Sequence, residues 1–322
     1  MSPIVFQDVS LAILGLVVLL VAGDLLVRGS VALAGALNIP KLIVGLTIVA
    51  FGTSAPELMV SIKATLTGDA GIAIGNIVGS NIANVLLVLG VPAIIYPVAS
   101  KEPGCRRYAS AMLGATALFA FYAYAQGAIG MTSGVVLFGG LLLYLAYAAV
   151  RAMSGDEDPM ATDIEEFEAN GSALKIAAFL ILGLVGLPLG ANLLVENGAE
   201  IARELNVREE VIGLTLIAFG TSLPELATTV SGAIRREQGI VIGNILGSNI
   251  FNLLAVGAAI GVFGGARFDE YALTLDIPVM IAAALIIAVV VYTRATISRG
   301  LGLLFLGGYL AYIFVLTRTA GV

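Results

Sequence analysis

The chain has no histidine, no tryptophan and a single cysteine, Cys105. An intrachain disulfide is therefore excluded, and so is a zinc or redox site built on His or Cys ligands. Charge is scarce as well: only 12% of the 322 residues are Asp, Glu, Lys or Arg. No Lys or Arg precedes Arg28, and a cleaved signal peptide wants a basic start and a shorter apolar core. The first apolar run is thus expected to stay as a membrane helix. Without His an intramembrane metalloprotease has no ligands. A serine or aspartyl type would need a nucleophile–base pair or paired aspartates, and neither is evident. No enzyme is expected.

What the chain does have is apolar length, with 59% hydrophobic residues, far above a soluble domain of this size. Roughly 20 apolar residues cross a bilayer core. By that measure ten spans are predicted, at about 8–27, 42–66, 71–97, 106–125, 130–150, 173–194, 210–234, 239–264, 271–292 and 300–317. Sidedness follows from Lys and Arg. With the N-terminus outside, eleven fall on inside loops (Arg28, Lys41, Lys101, Arg106, Arg107, Arg151, Lys175, Arg235, Arg236, Arg294, Arg299) and five outside (Lys63, Arg203, Arg208, Arg267, Arg318). Both termini are expected on the extracytoplasmic side of the cell (inner) membrane. The stretch 154–171 holds seven of the twenty-two acids and reads as a solvated cytoplasmic linker. It lacks the spacing of an EF-hand loop.

The sequence repeats itself. Shifted by 168 residues without a gap, 43–88 and 211–256 share twenty-four identical residues in forty-six. Two homologous halves of five spans are predicted, 1–152 and 173–322, joined by the linker 153–172. Five is odd, so the second half enters the membrane from the opposite side. The expected fold is all-α, with inverted repeats and broken helices at the midplane.

Two segments carry most of the identity: "GLTIVAFGTSAPEL" (45–58) with "GLTLIAFGTSLPEL" (213–226), and "GIAIGNIVGSNIANVL" (71–86) with "GIVIGNILGSNIFNLL" (239–254). Pro56 and Pro224 lack an N–H and clash with the carbonyls of Gly52 and Gly220, four residues back. A kinked or unwound turn is predicted in mid-membrane. Freed carbonyls persist there only if something satisfies them. Beside each break stands one acid, Glu57 or Glu225. A charge at bilayer depth costs at least about 2.5–3.5 kcal/mol, and no Lys or Arg lies near in either span. Two such acids brought together by the repeat must be protonated or hold cations: one divalent ion or two monovalent ones. Thr53 and Thr221 lie four residues before the acids. Ser80 and Asn84 are likewise four apart, as are Ser248 and Asn252. Carboxylate, amide, hydroxyl and carbonyl oxygens are hard ligands suited to such cations. Gly75, Gly79, Gly243 and Gly247 read as close-packing positions between helices. Asp24, Glu196 and Asp276 read as interfacial acids near span ends.

At these residues the sequence resembles the sodium/calcium exchangers of the cation/calcium antiporter superfamily, prokaryotic type. The "GTSAPE"/"GTSLPE" and "GSNIAN"/"GSNIFN" pairs resemble its two alpha-repeats, and the likeness covers essentially the whole chain. It implies a Na+/Ca2+ antiporter working by alternating access, with spans 1 and 6 sliding across the core. By motif position it implies that Glu57 and Glu225 ligate Ca2+ with the backbone carbonyls of Thr53 and Thr221. It implies Na+ sites from those glutamates with Ala50, Thr53, Ser54 and Ser80, and with Ala218, Thr221, Ser222 and Ser248. Asn84 and Asn252 would flank the centre. Potassium-dependent branches, and some prokaryotic relatives, carry an acid at the position of Asn252, so its amide argues against potassium co-transport. Proton-coupled branches carry a glutamate near Gly79 or Gly247. A Ca2+/H+ antiporter is the alternative, and a cation channel a further one. The expected partners are Ca2+, Na+ and the lipid bilayer, with no cofactor and no nucleic acid, and a monomer is expected.

Overall fold

A computed structural model of the protein describes residues 3–154, 172–205 and 220–319. The helices are α1 (Pro3–Leu37), α2 (Lys41–Thr53), α3 (Ala55–Thr67), α4 (Gly71–Ile95), α5 (Cys105–Gln126), α6 (Met131–Ser154), α7 (Ala173–Glu204), α8 (Leu223–Ile234), α9 (Gln238–Phe263), α10 (Ala272–Tyr292) and α11 (Arg299–Thr319). Four two-residue strands punctuate them: β1 (Val98–Ala99), β2 (Ala128–Ile129), β3 (Ala266–Arg267) and β4 (Thr296–Ile297).

Among the described residues eight helices are long and apolar enough to cross a membrane. The pair α2 and α3, bent by 42° where they meet, makes a ninth. Helices dominate because lipid offers no partner for backbone N–H and C=O groups. The span expected at 210–234 is described only from Gly220 onward, and its first part lies outside the described residues, as do Arg208 and 155–171 of the linker.

The first and sixth spans are longer than expected: α1 continues past residue 27 to Leu37, and α7 past 194 to Glu204. The polar residues taken as span ends are accommodated inside the helix. Asp24 pairs with Arg28 one turn on (2.9 Å) and with Arg235 at the end of α8 (2.5 Å), and accepts from Ser231. Asp276 accepts from Tyr312 (2.9 Å), and Glu196 is exposed. Pro188 sits within α7 without ending it.

The strands pair across the halves. β1 joins β4, with Val98 opposite Ile297, and β2 joins β3, with Ile129 opposite Ala266. Adding 168 turns β1 into β3 and β2 into β4, so the two ladders are images of each other under the repeat. The helix-to-helix turns match too. Asp69 and Glu237, one repeat apart, sit at φ/ψ of −86/64° and −84/70°. Each N–H bonds at 2.8 Å to the carbonyl five residues back, at Ala64 and Gly232.

Two apolar cores form. The larger joins α2–α6 with α8–α11. The smaller is built on α1 and α7, through Leu19, Ala22, Leu26, Leu187 and Ala191, and meets the bundle at Val44, Val49, Leu223 and Ala227. Glycines bring α1 and α7 together: a Cβ at Gly190 would sit 2.6 Å from the Leu19 nitrogen, and one at Gly15 2.6 Å from that of Leu194. Gly243 and Gly247 act as expected, since added Cβ atoms would meet the carbonyls of Leu42 and Leu46 at 2.6 Å. At Gly75 and Gly79 nothing described lies within 4 Å. The mirror images of Leu42 and Leu46 are residues 210 and 214, outside the described residues.

Candidate ion-binding site

The breaks fall where Gly-Thr-Ser precedes proline. Ser54 leaves the helical region at φ/ψ −84/3°, and Ser222 does the same at −86/1°. A proline follows in the first turn of both α3 and α8, where its missing N–H costs nothing. Glu57 and Glu225 then stand in those first turns. There the unpaired N–H groups and the helix dipole favour negative charge. Both acids are buried, at 1% and 0% exposure.

The arrangement is short of donors. Among the described residues neither glutamate forms an ion pair with a base. Among those residues both carboxylate oxygens of Glu57 and Oε2 of Glu225 are buried without a geometrically formed hydrogen bond. So are Oγ1 of Thr221, Oγ of Ser222, Oδ1 of Asn84, and both Oδ1 and Nδ2 of Asn252. A buried polar atom left unpaired costs about 1–3 kcal/mol, more if charged. Seven of these eight atoms are oxygens, from α3, α4, α8, α9 and the α8 break. No group of three or more Asp, Glu, His or Cys gathers among the described residues. A cation here would meet two carboxylates and neutral oxygens, a hard set suited to Na+ or Ca2+.

Other atoms of the set are engaged. Ser54 Oγ donates to Glu225 Oε1 across the halves (3.1 Å). Thr53 Oγ1 donates to Asn244 Oδ1 (3.2 Å) and lies 3.4 Å from Ser248 Oγ. The Thr53 hydroxyl thus points into α9. The Ala50 carbonyl accepts from the Ser54 N–H (3.0 Å) and the Thr53 hydroxyl (3.4 Å). Asn84 Nδ2 donates to Asn249 Oδ1 (3.1 Å). Ser80 and Ser248 are buried. Eleven of the twelve residues singled out in the sequence lie on the two breaks and the facing stretches of α4 and α9. The twelfth, Ala218, lies outside the described residues.

Sequence reasoning missed the π-helical turns at the two central asparagines. Asn84 and Asn252 each open a π-helical turn, 84–88 and 252–256, of the kind that recurs at functional sites. Asn76 and Asn244 brace the acidic turns. Asn76 Nδ2 donates to the Glu57 carbonyl (2.9 Å) and to Ser61 Oγ (2.8 Å). Asn244 Nδ2 donates to Thr229 Oγ1 (3.2 Å), which donates to the Glu225 carbonyl (2.6 Å). These two asparagines also lie one repeat apart.

A family model described as "Sodium/calcium exchanger protein" matches residues 8–150 and 175–318. The chain belongs to this family. Sodium/calcium exchanger MaX1 of Methanosarcina acetivorans is 32% identical over 94% of this chain and 97% of its own length. Inner membrane protein YrbG of Escherichia coli is 32% identical over 95% and 96%. The solved structure of the sodium-calcium exchanger NCX_Mj, soaked with Na+ and Sr2+, superimposes with a TM-score of 0.83 at 31% identity, covering 96% of this chain and 98% of that one. Members of the sodium/calcium exchanger family are transporters and not enzymes. Their ions are cargo and no cofactor is needed. The chain is an integral membrane antiporter for Ca2+ and a second cation.

Proposed function

We propose that the protein exchanges Na+ for Ca2+ across the cell membrane by alternating access, independently of potassium. The observation that carries this is the state of Glu57 and Glu225: two buried carboxylates from opposite halves, without basic partners among the described residues and short of donors. On this reading Glu57 and Glu225 bind Ca2+ with the carbonyls of Thr53 and Thr221. Na+ uses the same acids with Ala50, Thr53, Ser54 and Ser80, and with Ala218, Thr221, Ser222 and Ser248, while Asn84 and Asn252 flank the centre. One cargo excludes the other because both need the same acids. An empty, doubly charged site resists crossing, since each bare charge costs at least about 2.5–3.5 kcal/mol at bilayer depth. Movement is then coupled to occupancy. Sodium is preferred over protons because no acid stands at Gly79 or Gly247, and Asn252 in place of an acid supports independence from potassium.

The proposed architecture is ten spans in two inverted halves, 1–152 and 173–322, joined by a cytoplasmic linker, 153–172. Both termini lie outside the inner membrane, and the working form is a monomer. The matched strand ladders and turns support the inversion.

Uptake of radiolabelled calcium into proteoliposomes tests the reading, with imposed sodium, potassium and proton gradients compared side by side. Uptake driven by outward sodium alone is the expected result. Uptake driven by a pH gradient in sodium-free buffer would assign proton coupling instead. Dissipative flux without counter-transport would assign a channel.

A further inference from the structure

The two halves carry the same residues at the site but do not make the same bonds. Thr53, Ser54, Glu57, Asn76 and Ser80 recur as Thr221, Ser222, Glu225, Asn244 and Ser248. In the first half the break reaches across: Thr53 donates to Asn244 and adjoins Ser248, and Ser54 donates to Glu225. The mirror set would join Thr221 to Asn76 and Ser80, and Ser222 to Glu57. None of it is made. Among the described residues the Thr221 and Ser222 hydroxyls have no partner. Burial follows the same division: Asn244 is fully buried, whereas Asn76 is half-buried.

We propose that these cross-half hydrogen bonds are a latch, and that the exchange cycle trades one set for its mirror image. Asn76 and Asn244 are its positioning residues. Each uses its amide N–H to brace the acidic turn of its own half. Each has an amide oxygen available for the threonine of the other half. Asn244 Oδ1 holds Thr53. Asn76 Oδ1 takes no donor among the described residues, and Thr221 Oγ1 has no acceptor. Identical partners exist for both sets, so the mirror state is chemically available. The latch on one side is shut when Thr53 and Ser54 are bound, and the other is shut when Thr221 and Ser222 are bound. This rests on the exchanger reading and adds the device that alternates access to its site.

The test compares mirror-related variants. Thr53→Val removes the hydroxyl of the set made here and favours the mirror state. Thr221→Val does the reverse. Valine is close to threonine in shape, and both variants keep the backbone carbonyl. The readout is the ratio of half-saturating Ca2+ concentrations at the two membrane faces, in proteoliposomes of fixed orientation. It is measured in calcium–calcium exchange, which needs no counter-ion. The ratio is expected to move in opposite directions in the two variants, by about three- to ten-fold each, the worth of one hydrogen bond. Asn244→Ala and Asn76→Ala should repeat the opposition, and Thr53→Ser, which restores the hydroxyl, should return the wild-type ratio. Shifts in the same direction, or none, with exchange intact, overturn the latch alone. Absence of calcium–calcium exchange in the wild type overturns the exchanger reading, and the latch with it.

Discussion

Ser54 and Glu225, 171 positions apart in the chain, are joined by a 3.1 Å hydrogen bond inside the bundle. A hydroxyl at the break of one half therefore serves the carboxylate of the other. The candidate site is composite: neither half alone supplies two acids, and Glu225 takes a hydroxyl from the other half. That dependence gives the duplicated motifs a physical purpose and leads to the expectations below.

Removing either acid should end transport. Glu57→Gln and Glu225→Gln keep the size of the side chain but remove the charge that balances a divalent ion. Sodium-driven calcium uptake in proteoliposomes is expected to fall to the level of empty liposomes for each. Near-normal uptake by both variants would refute the site.

Calcium should stabilise the fold through these same acids. A ligand bound only by the native state adds about 2.7 kcal/mol at a hundred-fold excess over Kd. The unfolding temperature of the detergent-solubilised protein should therefore rise as calcium is added. The two glutamine variants should lose that rise. A calcium shift that survives in both places the ion elsewhere.

Packing of α9 on α2 should tolerate no side chain at Gly247. A Cβ there would lie 2.6 Å from the Leu46 carbonyl oxygen and from the Ala50 Cβ. Gly247→Val is expected to cost about 1–3 kcal/mol or more, as overpacking does. Gly114 is exposed on α5 with nothing described within 4 Å, so Gly114→Ala should be neutral or stabilising by up to about 1 kcal/mol. Thermal melts of the two variants side by side decide it.

Glu102 gives a pH dependence with a definite sign. It lies in the loop before α5. Burial pushes its carboxyl above the ordinary value, with Lys41 opposing that shift and Glu237 adding to it. The folded state thus holds the proton longer than the unfolded chain does. Stability from this group is present at acid pH and lost as pH rises through the raised pKa. Glu102→Gln should melt higher than the wild type at about pH 8, and the gap should close toward about pH 4. A gap that stays constant with pH excludes titration of Glu102 as its cause.

Much of this was legible in the sequence because lipid simplifies the problem. Apolar length sets each span, and the described helices begin and end close to the expected positions except where α1 and α7 run on. There the span-end signal misled: Asp24 looked like a helix terminus, but Arg28 and Arg235 neutralise it inside the contact. The breaks were readable because Gly-Thr-Ser runs into a proline in both repeats, whereas a proline alone, as at Pro188, leaves its helix intact. The acids stood out because charge in an apolar span is costly without a purpose.

The sequence by itself determined the duplication, the breaks at the two Gly-Thr-Ser stretches and the candidate oxygens, since proline sterics and the cost of buried charge act locally. The tertiary structure alone decided which hydroxyl meets which acid. Identical motifs have identical local chemistry, and only the packing of α9 and α8 around the α2 break gives Thr53 and Ser54 their partners, while the Thr221 and Ser222 hydroxyls find none among the described residues.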